Sequence, residues 1–170
     1  MEIQVARRDL SSEPAWSRQS VARAMARVAG ALLVLAIVIG IPEAQRRVAL
    51  LGQSAGGERS TVLVGLAAVG VFLILYGGPA IWLLNGGIRF RSLALVGPFL
   101  TAGSFAITSV ARAAVGGPRP ASIEVAELLA FTAAMVVLLT GRPSRTRLRV
   151  GAGVGGLWLL LSVVRVVARL

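Results

Sequence analysis

Three features of the sequence predict an all-α, polytopic membrane helix bundle of about five transmembrane helices. Of the 170 residues 56% are hydrophobic and 15% charged, with mean hydropathy +0.80, against roughly 25% charged residues in an average soluble domain. A domain of this size leaves about a third of its unfolded-chain surface exposed, so a chain this apolar needs lipid as part of its solvent. The apolar residues also fall into long runs, and the arginines sit between those runs, as expected at the ends of membrane spans.

Residues 1–20, MEIQVARRDLSSEPAWSRQS, are polar, mixed in charge and interrupted by Pro14, and read as a soluble tail with Trp16 at headgroup level. Residues 21–170 form one transmembrane domain. The first apolar segment, 24–41, has Arg27 inside its start and the uncharged core VAGALLVLAIVIGI. At 1.5 Å per residue it covers about 27 Å, enough for the roughly 30 Å hydrocarbon layer if Arg27 snorkels. No A-x-A cleavage site follows, so it reads as a retained span and not a signal peptide. Segments 61–84 and 93–111 carry no charge. Segment 123–140 carries Glu124 and Glu127 in its first turns, and segment 150–168 has Arg165 near its end. The count becomes four if the last segment lies in the membrane plane or the first does not cross.

Five spans put the termini on opposite sides. With the N-terminus inside, eleven arginines are cytoplasmic and seven external, which favours that orientation. Arginine without lysine, alongside so much Ala, Gly and Val, is a codon signature of a GC-rich genome and indicates a bacterial plasma membrane. The net charge of +11 fits topology better than nucleic-acid binding, because aromatics are few and the arginines border apolar runs. Arg18, Arg23 and Arg27, with Arg142 to Arg149, are placed to hold anionic lipid headgroups.

The absence of cysteine and histidine excludes disulfides, thiolate and imidazole catalysis and the usual zinc, haem and copper ligands. The only aspartate is Asp9, in the tail, so aspartyl dyads and Asp-rich metal motifs are absent as well. No enzyme and no cofactor is expected, although glutamate-based chemistry stays open.

Two stretches imitate nucleotide sites. Gly151-x-Gly153-x-x-Gly156 has the spacing of a dinucleotide fingerprint, which requires a βαβ unit and an acidic residue about 20 positions later. The sequence has 14 residues after Gly156, and its last acidic residue is Glu127. The same glycines, as Gly151-xxx-Gly155, clear a helix face for close packing. Gly52-x-x-x-x-Gly57 lacks the lysine a phosphate loop needs, and Ser60 or Thr61 reads more simply as an N-cap of the second span.

Within that span, Gly77, Gly78 and Pro79 predict a kink near Tyr76, because proline removes the bond to the Leu75 carbonyl. That carbonyl needs a new partner in lipid. Such breaks line sites in transporters; the plainer reading is a structural kink with Trp82 as an interfacial anchor.

The third span holds the most informative pattern. Thr101, Ser104, Thr108 and Arg112 fall on one helical side, with Gly97 extending the stripe, and this side is expected to face the bundle. Arg112 ends the third span and Glu127 begins the fourth, so both reach one membrane surface and are within range of an ion pair. Glu124, with Ser122 as N-cap, belongs to a first helical turn, where a carboxylate opposes the helix dipole. Arg165 and Arg169, four apart, are expected to snorkel at the last exit.

Two functions compete. The leading one is a non-catalytic accessory or assembly subunit, acting through helix packing with a membrane-protein partner or as a homo-oligomer, and motivated by the glycine-rich faces and the lack of reactive groups. The alternative is a small-solute or ion- or proton-coupled transporter or channel, oligomeric, with Glu127, Arg112 and the Thr101, Ser104, Thr108 stripe along its path.

Overall fold

The computed structural model describes residues 15–54, 58–89, 91–117 and 121–168, and the side-chain surroundings of these except 15–17, 42–54, 58–61 and 64. Among the described residues there are six α-helices and no strand: α1 (Ala15–Ser54), α2 (Glu58–Phe72), α3 (Gly78–Leu84), α4 (Val96–Ala114), α5 (Ser122–Leu139) and α6 (Arg145–Val167). A π-helical turn, Leu73–Gly77, joins α2 to α3, and a 3-10 turn, Arg91–Leu95, leads into α4.

Five stretches are long and apolar enough to cross a membrane: Arg18–Ile41, Gly65–Leu84, Arg91–Ala114, Ser122–Leu139 and Arg145–Val167. They match the five predicted segments, and the protein is an all-α membrane bundle. Its outer surface bears the large apolar side chains of that class, among them Leu63, Ile74, Ile107 and Val110.

α1 is the hub, packing against α2, α3, α5 and α6. Its inward stripe, Ala22, Met25, Ala26, Ala29, Leu32 and Leu33, repeats every three to four residues and is buried, the pattern of a helix with one face in a core. The most extensive helix pair is α5 with α6. Glycines bring α6 close to both α5 and α1. A Cβ at Gly151 would lie 2.6 Å from Leu138 Cγ, and one at Gly155 would lie 2.8 Å from Leu32 Cδ1 on α1. Both glycines therefore face neighbours within the chain. GAGVGG lies in the middle of α6, and RTRLRV is its first turns and not a strand, so the nucleotide lookalike has no βα turn.

Some boundaries differ from expectation. α1 is one continuous helix of 40 residues, about 60 Å long, and runs through the segment expected to be a loop after Ile41. Apart from Pro42 that segment, EAQRRVALL, is rich in strong helix formers. Ser60 and Thr61 lie inside α2, which begins at Glu58, and so are not its cap. Ala121, not Ser122, holds the N-cap position of α5, without a side-chain bond. Ser144 caps α6, accepting a bond from the Arg147 N–H at 3.2 Å. The tail through Pro14, Gly57 of the phosphate-loop lookalike, and Arg169 lie outside the described residues.

The carboxyl end of α5 is held by arginines. Gly141, at φ 66°, reverses the chain after it, in a conformation that costs glycine least. Arg147 donates from Nε to the Val137 carbonyl at 3.2 Å and from a terminal nitrogen to Thr140 Oγ1 at 3.1 Å, and Arg91 donates to the Gly141 carbonyl. Arg147 therefore serves the fold, whereas Arg23, Arg27, Arg142, Arg145 and Arg149 are exposed.

Candidate functional site

The second span breaks where proline requires it. Pro79 has no N–H for the Leu75 carbonyl, and the Gly78 N–H bonds to the Leu73 carbonyl, five residues back. The result is a π turn, a feature that recurs at functional sites. Gly97, at the start of α4, fits directly over the break, since a Cβ there would lie 2.8 Å from the Leu75 oxygen and 3.1 Å from the Tyr76 ring. Gly77 closes the π turn, and Gly78 and Pro79 open α3.

Tyr76 is buried, and its hydroxyl lies 2.6 Å from Thr101 Oγ1 on α4. Four rings continue from there across the bundle. Phe72 stacks on Tyr76 with centroids 4.6 Å apart, Tyr76 and Phe131 are 6.4 Å apart, and Phe131 meets Trp158 at 4.8 Å.

Above this aromatic floor stands a cleft of about 470 Å³, walled by α4 on one side and by α2, α5 and α6 on the others. Thr101, Ser104 and Thr108 line it from α4, and Glu124 and Glu127 line it from α5. Seven residues separate Thr101 from Thr108, which makes the hydroxyl track about 10 Å long. Thr108 Oγ1 donates back into its own helix, to the Ser104 and Phe105 carbonyls at 2.8 and 3.0 Å, the usual way a hydroxyl is satisfied inside a helix.

Glu127 is held by two side chains of α6. It occupies the first position of the buried α5 stripe Glu127, Ala130, Phe131, Ala134, Met135, Leu138. Ser162 Oγ, fully buried, donates to Oε1 at 2.7 Å, and an Arg165 terminal nitrogen donates to the same oxygen at 3.2 Å. Arg165 Nε lies 2.7 Å from Oε2, an ion-pair approach without the alignment of a hydrogen bond. The Arg165 and Glu127 side chains are 17% and 11% exposed, so the pair is largely but not fully desolvated and its partners matter.

Glu127 therefore meets Arg165, not the Arg112 expected from the sequence. Arg112 is exposed at the end of α4 and is not part of the cleft wall. Arg165 in turn does not snorkel outward. It continues the inward stripe of α6 formed by Gly151, Gly155, Trp158 and Ser162. Of the five proposed polar-site residues, the structure gathers Thr101, Ser104, Thr108 and Glu127 around one space and leaves Arg112 outside it. Ser162, Arg165 and the aromatic floor were missed.

Among the described residues no group of three or more His, Cys, Asp or Glu side chains is close enough to share a metal ion. Comparison of the chain with models of protein families, with curated proteins and with solved structures gives no match.

Proposed function

We propose that this membrane protein binds a small solute within the bilayer and carries it, with the cleft between α4 and the α5/α6 hairpin as its site. One observation carries the reading: the hydroxyl track of α4 and the Glu127–Arg165 pair, from three different helices, converge on the same space beside a broken helix. Polar groups are expensive in a bilayer and are retained where they face a partner, a cavity or a path. The π turn supports the same reading, because α3 and α4 meet at it, and such breaks are where spanning helices bend. In this account the N-terminus is cytoplasmic, so the end of α4 and the start of α5, where Thr108 and Glu124 line the cleft, lie toward the other side.

The competing accessory-subunit reading has two motives, the glycine-rich faces and the lack of reactive groups, and the structure bears on the first. Gly151 and Gly155 are buried against Leu138 and Leu32 of the chain itself, which weakens that motive. The open side of α4 still favours a partner helix as the second reading, since α4 touches the bundle mainly through α5 and the turns beside it.

Purification in a mild detergent from the native membrane, with mass spectrometry of what accompanies the chain in fixed ratio, separates the two. A homogeneous protein or homo-oligomer is the expected result. A stoichiometric companion whose cross-links map to the cleft side of α4 would overturn the solute-carrying reading.

A further inference from the structure

The geometry points to an amphipathic organic cation as the ligand of this cleft, with its charged head near Ser104, Thr108 and Glu127 and its apolar body on the aromatic floor. This inference rests on the cleft being a solute site. Three observations give the ligand class.

The first is a gradient of polarity along the cleft. Glu124 and Thr108 line it near the end where α4 finishes and α5 begins, and Glu127 and Ser104 come one turn further in. Phe131 lies seven residues from Glu124, about 10 Å deeper, beside Trp158 and Phe72. A molecule that satisfies both ends has a polar head and an apolar body of moderate length. The volume of about 470 Å³ is within the range of sites for such molecules.

The second is that, among the described residues, the one cation in the wall is already engaged. Arg165 gives a terminal nitrogen to Glu127 and holds Nε 2.7 Å from its other oxygen, so the two charges match each other and, among the described lining residues, no free cation is left for an anionic head. An anionic head would have to break this pair and leave Glu127 exposed to it in a desolvated site, which is costly.

The third is the character of the hydroxyl, carboxylate and aromatic groups in the lining, which are electron-rich and stand among leucines. Thr108 spends its proton on the Ser104 and Phe105 carbonyls and so offers lone pairs. Phe72, Phe105, Phe131 and Trp158 supply aromatic rings, whose faces attract cations, tryptophan most strongly. Glu124, which has contacts of its own, adds a carboxylate to the wall.

The test uses two ions of the same shape and opposite charge, tetraphenylphosphonium and tetraphenylborate. Each is equilibrated by dialysis with the purified full chain in nanodiscs, and empty nanodiscs give the background. The control is Ser104→Leu, which fills the α4 wall with an apolar side chain at an exposed position and leaves the Glu127–Arg165 pair untouched.

Saturable binding of the phosphonium, weakened roughly tenfold or more by Ser104→Leu, with no such component for the borate, is the expected result. Equal Ser104-sensitive binding of both ions, or preference for the borate, would overturn the cation inference and leave the solute-site reading standing. Phosphonium binding indifferent to Ser104→Leu, or no binding of either ion above background, would overturn the inference, and the second of these would also count against the solute site.

Discussion

Glu127 on α5 and Arg165 on α6 approach to 2.7 Å, with the fully buried Ser162 donating a further bond to the same carboxylate. The pair joins the start of one span to the end of the next. Glu127→Ala or Arg165→Ala alone is expected to cost about 1 to 3 kcal/mol, less than a fully buried pair because both side chains keep some access to solvent. Replacing both, as Glu127→Leu with Arg165→Met, is expected to recover most of the loss. Thermal unfolding in one detergent, arranged as a double-mutant cycle, measures the coupling. A double variant less stable than either single one would show that the pair is not the source of the effect.

Arg112 provides the matching control. It is exposed and outside the cleft, so Arg112→Ala is expected to shift stability by no more than about 0.5 kcal/mol. The same unfolding assay compares it with Arg165→Ala. Equal losses for the two would mean that Glu127 is held by the wrong arginine in this account.

Glycines of α4 and α6 are predicted to differ sharply. A Cβ at Gly97 would meet the Leu75 backbone oxygen at 2.8 Å, whereas a Cβ at Gly153 meets nothing within 4 Å. A backbone atom cannot swing away as a side-chain end can, so Gly97→Ala is expected to destabilise by about 1 to 3 kcal/mol. Gly153→Ala is expected to be neutral or to stabilise by up to about 1 kcal/mol through helix propensity. Melting temperatures of the two purified variants decide it.

Tyr76 and Thr101 tie the π turn to α4 through one hydroxyl contact of 2.6 Å. Tyr76→Phe and Thr101→Val should each cost about 1 kcal/mol, and the double variant should cost hardly more than either alone. Additive losses would mean that the hydroxyls act separately.

At the opposite end of α5, Arg147 reaches both the Val137 carbonyl and Thr140 Oγ1. Arg147→Lys keeps the charge but not the planar fork, and is expected to lose about 1 kcal/mol. Hydrogen exchange of the last turn of α5 should rise in that variant, and unchanged protection there would contradict the assigned role.

The spans were legible because run length and charge placement follow directly from bilayer thickness. The structure shows that Glu127 heads the inward stripe of α5 at 127, 130, 131, 134, 135 and 138, a spacing that the sequence carries but that was not used to place it. Its partner was not read correctly. Arg112 and Arg165 both reach the membrane surface where α5 begins, and choosing between them depends on which helix packs more closely on α5. Gly151 decides this by letting α6 approach Leu138, while α4 stands off. A signal was present: Gly151, Gly155, Trp158, Ser162 and Arg165 follow each other at spacings of four, three, four and three, one face of a helix. Proximity to Arg169 and to the span's end made Arg165 look like a snorkelling residue. The continuity of α1 past Pro42 was hidden for a different reason, since proline is ordinarily a sign of a helix end.

The central claim, that the space beside α4 is a path for solute and not a lipid-filled seam, can be tested in a chain without cysteine. Single cysteines at Ser104 and Thr108 face the cleft, while Val110 and Phe99 lie on the outward side of the same helix, 70% and 52% exposed. The measurement is the rate of labelling by a charged, membrane-impermeant thiol reagent in proteoliposomes. The account predicts fast modification of Ser104→Cys and Thr108→Cys, and little at Val110→Cys and Phe99→Cys. Protection of Ser104→Cys equal to that of Val110→Cys would contradict it.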